Sequence, residues 1–282
     1  MTDDSFLGRM ARSSRERVRQ ARMQEPEAAL RARAMATADP PTLMLGEFDL
    51  IAELKLRSPA AGSLAEPNFD RGSQLTAYAS GGAAAISVLT EPDEFKGDLS
   101  HLREAAAILQ PQRTPAMRKD FLTKPYQVLE ARAAGAGGVL VIVTMLTDAD
   151  TEALLACARE CGLFVLLEAF DAVDLARIAG LAGPGLAPEH APVMCGVNCR
   201  DLKTLAIDFD RFTALAEHLP VGLTAVAESG ILGQDEIRAV AQMGYRAALV
   251  GSALMQSSQP AQTVAQLITA GAERHTETQP CS

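Results

Sequence analysis

Short apolar runs rich in β-branched residues recur along this chain, alternating with longer Ala/Leu/charged stretches of helical period. The runs are Asp49–Lys55, Ala84–Thr90, Pro115–Asp120, Gly138–Val143, Phe164–Glu168, Val193–Asn198, Thr224–Ser229 and Ala247–Ser252. Eight runs separated by helical segments predict eight βα units. Their near-continuous apolar character implies burial on both faces, hence a parallel sheet. Closure into a (β/α)8 TIM barrel is the economical reading of eight, although the rhythm alone also admits an open doubly wound sheet. Before the rhythm starts, residues 4–36 are rich in Arg, Ala and Glu and predict one or two helices. The expected organisation is a single domain over residues 1–282: an N-terminal helical extension (1–46), the barrel (47–272) and a disordered tail (273–282). Capping residues support two of the helix starts, Thr147 or Asp148 before DADTEALLACARE and Asp208 before DRFTALAEHL.

Composition narrows the possibilities. A length of 282 residues suits one barrel, since this fold runs to about 250 residues as a single domain. With 48% hydrophobic and 22% charged residues, the chain can bury a large core and is not globally disordered. A net charge of −9 argues against nucleic acid as a partner, yet leaves room for one small phosphorylated ligand held by a local nest of N–H groups. No apolar stretch is long enough to span a bilayer, and the N-terminus lacks the apolar core of a signal peptide, so a cytoplasmic location is expected. The five cysteines (Cys157, Cys161, Cys195, Cys199, Cys281) form no CxxC pair and the four histidines are scattered, so no metal site is expected. Gly180–Pro192, rich in Gly and Pro, falls between a helix and the next strand. That places it on the N-terminal face of a barrel, opposite the active sites of this fold.

The polar residues that end the apolar runs carry the functional signal. They are Glu53 and Lys55, Lys119, Glu168, Asn198, Glu228 and Ser229, and Gly251 and Ser252. In a barrel of parallel strands all of them converge on the C-terminal mouth. An unpaired buried charge costs several kcal/mol, so a ring of Lys and Glu must be mutually paired and arranged around something. Acids and bases together suit proton transfer to and from a bound molecule. No Ser or Cys with a neighbouring His points to acyl transfer. Ser229-Gly230 and Gly251-Ser252 follow the last two runs, where barrels recurrently bind phosphate on backbone N–H groups and a helix start.

The segments IAELKLRSP, ISVLTEPDEFKGDL, MRKDFLTKPYQVLEARAAGA, GVNCRDLKTLAIDF, VAESGI and LVGSALM resemble, in order, the successive motifs of the indole-3-glycerol-phosphate synthase family. The resemblance runs from about residue 47 to 256, and the KDF-xx-PYQ-xx-EAR-xx-GA and N-x-RDL stretches are its specific parts. It implies a TIM-barrel lyase of tryptophan biosynthesis, without cofactor or metal. Such an enzyme converts 1-(2-carboxyphenylamino)-1-deoxyribulose 5-phosphate into indole-3-glycerol phosphate, releasing CO₂ and water. By resemblance, Lys119 is the general acid and Glu168 the base of the dehydration. Glu53 and Lys55 orient and polarise the substrate, and Asn198 and Glu228 complete the polar floor. Ser58, Ser229, Gly230, Gly251 and Ser252 match phosphate ligands, and Arg200 buttresses the mouth. The partner implied is a small phosphorylated substrate, with neither nucleic acid nor membrane, and the chain is expected to be a monomer or weak homo-oligomer.

Several positions depart from the family pattern. Leu56 stands where a basic residue is usual, Ala60 and Ala61 replace a Ser-Lys type pair, and Cys199 replaces a common Asn or Ser. Ala169 and Phe170 replace valine and histidine, positions that need not touch the chemistry. These changes admit a paralogue serving a specialised indole pathway, or a catalytically silent phosphate-binding barrel acting as a partner subunit. An isomerase of phosphoribosyl anthranilate would need a Cys/Asp pair at the strand ends, whereas the first strand here ends in Glu and Lys.

Overall fold

A computed structural model describes residues 5–58, 62–63, 69–182, 192–201 and 206–273, with the side chains of Ser58 and Ser63 outside that description. Eight strands form the barrel: β1 (Asp49–Leu54), β2 (Ala85–Leu89), β3 (Ala116–Lys119), β4 (Gly138–Ile142), β5 (Phe164–Ala169), β6 (Val193–Asn198), β7 (Thr224–Glu228) and β8 (Ala247–Val250). Each pairs in parallel with its sequence neighbours, and β8 pairs with β1, so the sheet closes. The open-sheet alternative is thereby excluded.

Two helices precede the barrel, α1 (Phe6–Gln24) and α2 (Glu27–Ala36). The helices that follow in chain order are α3 (Arg71–Ser80), α4 (Leu99–Leu109), α5 (Pro125–Ala133), α6 (Asp148–Glu160), α7 (Ala172–Leu181), α8 (Asp210–Ala216), α9 (Gln234–Gln242), α10 (Ser252–Met255) and α11 (Pro260–Ala272). Among the described residues no helix is long and apolar enough to cross a membrane. Thr147 caps α6 by accepting the Asp150 N–H. The cap of α8 differs from expectation by one residue: Phe209 holds the N-cap position, while the Asp208 carboxylate still receives the Asp210 N–H at 3.2 Å.

Period-2 alternation divides the core in two. One face of each strand points outward, where Leu50, Ala52, Val88, Val139, Val141, Val165, Leu167, Cys195 and Val197 pack against the helices. The other face fills the barrel interior with Ile51, Ala85, Met117, Leu140, Phe164, Leu166, Met194, Val226, Ala247 and Leu249. Cys157 on α6 and Cys161, the residue capping its C-terminal end, are buried, Cys195 and Cys199 are buried free thiols, and Cys281 lies outside the described residues. The Gly180–Pro192 segment leaves the C-terminal end of α7 and re-enters at β6, so its flanks sit at the N-terminal face. Its residues 183–191 lie outside the described residues, as do Ala60, Ala61 and all of the expected tail beyond Glu273.

Candidate active site

Following the interior face of each strand to the mouth gives the site directly. On β1 the inward series Ile51, Glu53, Lys55 ends in two charges; on β3 it is Met117, Lys119; on β5 Phe164, Leu166, Glu168; on β7 Val226, Glu228. Barrel interiors are built in layers of four side chains drawn from alternate strands. Here the odd-numbered strands supply Glu53, Lys119, Glu168 and Glu228 to one such layer, and it is ionic. The Lys119 Nζ lies 3.0 Å from Glu228 Oε2, 3.7 Å from Glu168 Oε2 and 3.9 Å from Glu53 Oε2. Lys55 reaches the other oxygen of Glu53 at 2.7 Å. The side chain of Lys119 retains 19% exposure, against 5% for Glu53, 4% for Glu168 and 1% for Glu228. The lysine is therefore the most exposed member of the layer.

From β6, Asn198 Nδ2 donates to Glu168 Oε1 at 2.7 Å, and Asn198 Oδ1 receives the Arg200 N–H at 3.0 Å. One amide thus fixes the Glu168 carboxylate and ties it to the backbone that carries Arg200. The residue ending the interior face of β8 is Gly251. A Cβ added there would stand 2.6 Å from Glu53 Oε1 and 3.2 Å from Lys55 Nζ, so the Glu53–Lys55 pair occupies the space a side chain would need.

Burial alone would disfavour the Lys119 ammonium, but Glu228, Glu168 and Glu53 outweigh it and hold the lysine pKa far above its usual value. Burial would likewise raise Glu53, yet Lys55 and Lys119 prevail and keep its pKa below the usual carboxylate range. Glu228 goes the other way. Burial, reinforced by the like charge of Glu168, outweighs Lys119 and pushes Glu228 up to about 8. Near neutrality the layer therefore holds a charged Lys119 and an ionised Glu53, with Glu228 the carboxylate that burial most inclines to take up a proton. An acid and an ionised carboxylate sit within reach of one bound molecule, which is the requirement for moving protons in both directions.

All but one of the site residues expected from the sequence line one cavity, of about 190 Å³: Glu53, Lys55, Lys119, Glu168, Asn198, Arg200, Glu228, Ser229, Gly230, Gly251 and Ser252. Ser229 and Gly230 both have φ of +70°, a tight turn after β7. The exception is Ser58, whose backbone pairs with Gly62 in a small hairpin and whose side chain is outside the described residues.

Much of the remaining lining is apolar, which the strand-end pattern does not predict. Phe6 and Leu7 of α1 join Phe95, Phe121, Leu140, Ile142 and Phe170 there. Phe170, one of the departures from the family pattern, is placed on this wall. It is buried, lines the cavity, and is clamped at its N–H by Asp174 Oδ2 (3.1 Å) and at its carbonyl by the Arg211 guanidinium. The signal was available, because Phe170 lies two residues after Glu168 and so points to the same face. A space on the order of 150 Å³ lined by such side chains accommodates a benzene ring.

Fold and site together define a (β/α)8-barrel enzyme of acid–base type, with a charged floor, an apolar wall and small-residue turns after its last two strands. A profile of the family described as indole-3-glycerol phosphate synthase matches residues 7–267. The chain belongs to that family. An indole-3-glycerol phosphate synthase of Nocardioides sp. is 44% identical over 232 residues, covering 80% of this chain and 84% of that protein. One of Parafrankia sp. is 38% identical over 248 residues, covering 86% and 88% respectively. Among solved structures, 3-hexulose-6-phosphate synthase from Salmonella typhimurium superposes with a TM-score of 0.62 at 16% identity, covering 81% of this chain and 100% of that one. Thiamine phosphate pyrophosphorylase from Pyrococcus furiosus gives 0.56 at 14%, covering 81% and 98%. At such identities these two share the fold alone.

Proposed function

We propose that this chain closes the indole ring in tryptophan biosynthesis, converting 1-(2-carboxyphenylamino)-1-deoxyribulose 5-phosphate into indole-3-glycerol phosphate with loss of CO₂ and water. One observation carries the reading: a charged lysine at the centre of three carboxylates, lining a cavity with an apolar wall and a charged floor. The aryl ring occupies the apolar wall. The phosphate lies at the turns of Ser229, Gly230, Gly251 and Ser252, with Ser58 and Arg200 at the rim. Anchored at both ends, the chain folds so that the aryl carbon bearing the carboxylate meets the ketose carbonyl carbon.

Lys119 donates a proton to the carbonyl oxygen as the carbon–carbon bond forms, and loss of CO₂ restores the aromatic ring. The resulting hydroxyl leaves as water with a second proton, delivered by Lys119 after it has been reprotonated from solvent, while Glu168 accepts the proton lost from the ring carbon next to the nitrogen. Glu53 and Lys55 hold and polarise the substrate, and Glu228, whose burial favours uptake of a proton, limits the negative charge the floor presents to an anionic ligand. Side chains and backbone fill every role, so the chemistry calls for no metal or cofactor. A cytoplasmic protein, monomeric or weakly self-associating and without affinity for nucleic acid, fits this reading.

The test is to incubate the purified protein with the carboxyphenylamino-deoxyribulose phosphate and follow indole absorbance. Turnover is expected; tight binding without turnover would favour a silent partner subunit instead.

A further inference from the structure

The cavity wall contributed by α1 depends on how that helix is held. α1 crosses the mouth of the barrel: Ser13 Oγ donates to Asp93 after β2 at 3.1 Å, Arg17 reaches Asp120 after β3, and the helix meets the turn Val143–Met145 after β4. Its buried side is small, consisting of Leu7, Met10, Ala11, Ser14 and Val18. Four of these are apolar and carry no directional contact, while Ser14 pairs with Thr123 (3.2 Å) and Gln127 (3.0 Å) near the middle of the helix; a slip of one turn would move every residue by 5.4 Å. That would carry Phe6, which meets Phe121 edge-on at 5.8 Å, out of the cavity.

The polar contacts supply what the apolar ones lack. Arg17 Nη2 and Nη1 donate to Asp120 Oδ1 and Oδ2 at 2.8 and 3.1 Å, a two-pronged pairing that fixes direction as well as distance. Asp120 is fully enclosed and held in turn by Thr90 Oγ1 (2.8 Å), Arg118 Nη2 (3.0 Å) and the Phe121 N–H (2.8 Å). Lys119, Asp120 and Phe121 are consecutive. A single strand end thus sends an acid into the barrel, a carboxylate outward to α1, and an aromatic ring onto the wall that Phe6 completes.

We infer that Arg17 and Asp120 are positioning residues, a clamp that fixes the register of α1 and with it the Phe6–Leu7 wall, setting how tightly the aromatic end of the substrate is held. The inference rests on the reaction proposed above. Asp120 itself lines the cavity between Lys119 and Phe121, whereas Arg17 does not and acts through Phe6 and Leu7.

Kinetics and hydrogen exchange on the full chain test it. Arg17→Met leaves Asp120 paired with Arg118, so the fold should survive. Its KM should rise about tenfold, the scale of one lost apolar contact, with kcat changed by less than about threefold. Arg17→Lys, which keeps the charge but not the fork, should fall between wild type and Arg17→Met and serves if Arg17→Met does not fold. Phe6→Ala should raise KM similarly, and adding Arg17→Met to it should change KM by less than about twofold, because both remove one wall. A contact that only stabilises the fold would leave KM alone and would not depend on Phe6. Amides of α1 should exchange faster in Arg17→Met while those of β1 to β8 stay protected. An unchanged KM, KM increases that multiply in the double variant, or unchanged α1 exchange would each overturn the clamp. Absence of wild-type turnover would instead sink the reaction, with α1 exchange still deciding the clamp.

Discussion

Gly196 and Glu228 show how much one missing side chain does at this site. A Cβ on Gly196 would overlap Oε1 of Glu228, and that oxygen is buried without a hydrogen-bond partner. The carboxyl occupies the space a side chain on Gly196 would need, and from that position its other oxygen meets Lys119 at 3.0 Å. The obstructed atom is the far end of a flexible side chain, so Gly196→Ala should displace the carboxyl and leave the barrel intact. The expected result is an unchanged fold by circular dichroism and a fall in kcat of about tenfold or more, with KM little altered. Full activity of Gly196→Ala would show that the Lys119–Glu228 contact is dispensable. Glu228 also gives a pH prediction. Its pKa rises from 4.5 to about 8 on folding, so the folded state binds this proton more tightly than the unfolded one. The associated stability is fully present below about 4.5 and is lost as pH rises through about 8. Glu228→Gln mimics the protonated acid and removes the titration. Its melting temperature should fall less than that of wild type between about pH 5 and 8.5; parallel curves would place the proton elsewhere.

At the scale of elements, the strands were the legible part and the cavity wall was not. Apolar runs ending in Glu53, Lys119, Glu168 and Glu228 announced themselves because parallel strands deliver their last inward residues to one place. The wall is assembled from α1 (Phe6), the segment after β2 (Phe95) and the end of β3 (Phe121), which are far apart in the chain and look like ordinary core residues. Nothing in a local pattern distinguishes such a phenylalanine from one packed under a helix, as the side chain responds only to tertiary contact. The Arg17–Asp120 pairing spans 103 positions and is invisible to periodicity for the same reason. The Gly180–Pro192 segment belongs to the opposite category, being conspicuous in sequence and tied by its flanks to the N-terminal face. Replacing residues 183–191 by a short turn should leave kcat/KM within about threefold, under about 0.7 kcal/mol of transition-state stabilisation. A hundredfold loss with the fold retained would mean that this segment reaches the chemistry.

On the scale of the whole molecule, a barrel that is apolar through most of its interior concentrates its ionisable groups in a single layer at the mouth. The odd-numbered strands carry the charge, while β2, β4 and β8 present Leu89, Ile142 and Gly251 toward the same cavity. A chain with a net charge of −9 thereby gathers two ammonium groups, Lys119 and Lys55, at the mouth of its barrel, where the proposed reaction needs an anionic substrate to be met. Four strands must close correctly for one lysine to meet three carboxylates, so catalysis here belongs to the closed barrel as a whole and is tested at its centre. The most direct measurement is single-turnover and steady-state conversion of the carboxyphenylamino-deoxyribulose phosphate by purified Lys119→Met beside wild type. Removing one proton-transfer group should lower kcat by about 10²–10⁴, while product binding, anchored by the phosphate turns and the apolar wall, stays within a few-fold of wild type. Near-normal turnover by Lys119→Met, with contaminating wild-type enzyme excluded, would contradict the assignment of the ionic layer as the catalytic centre.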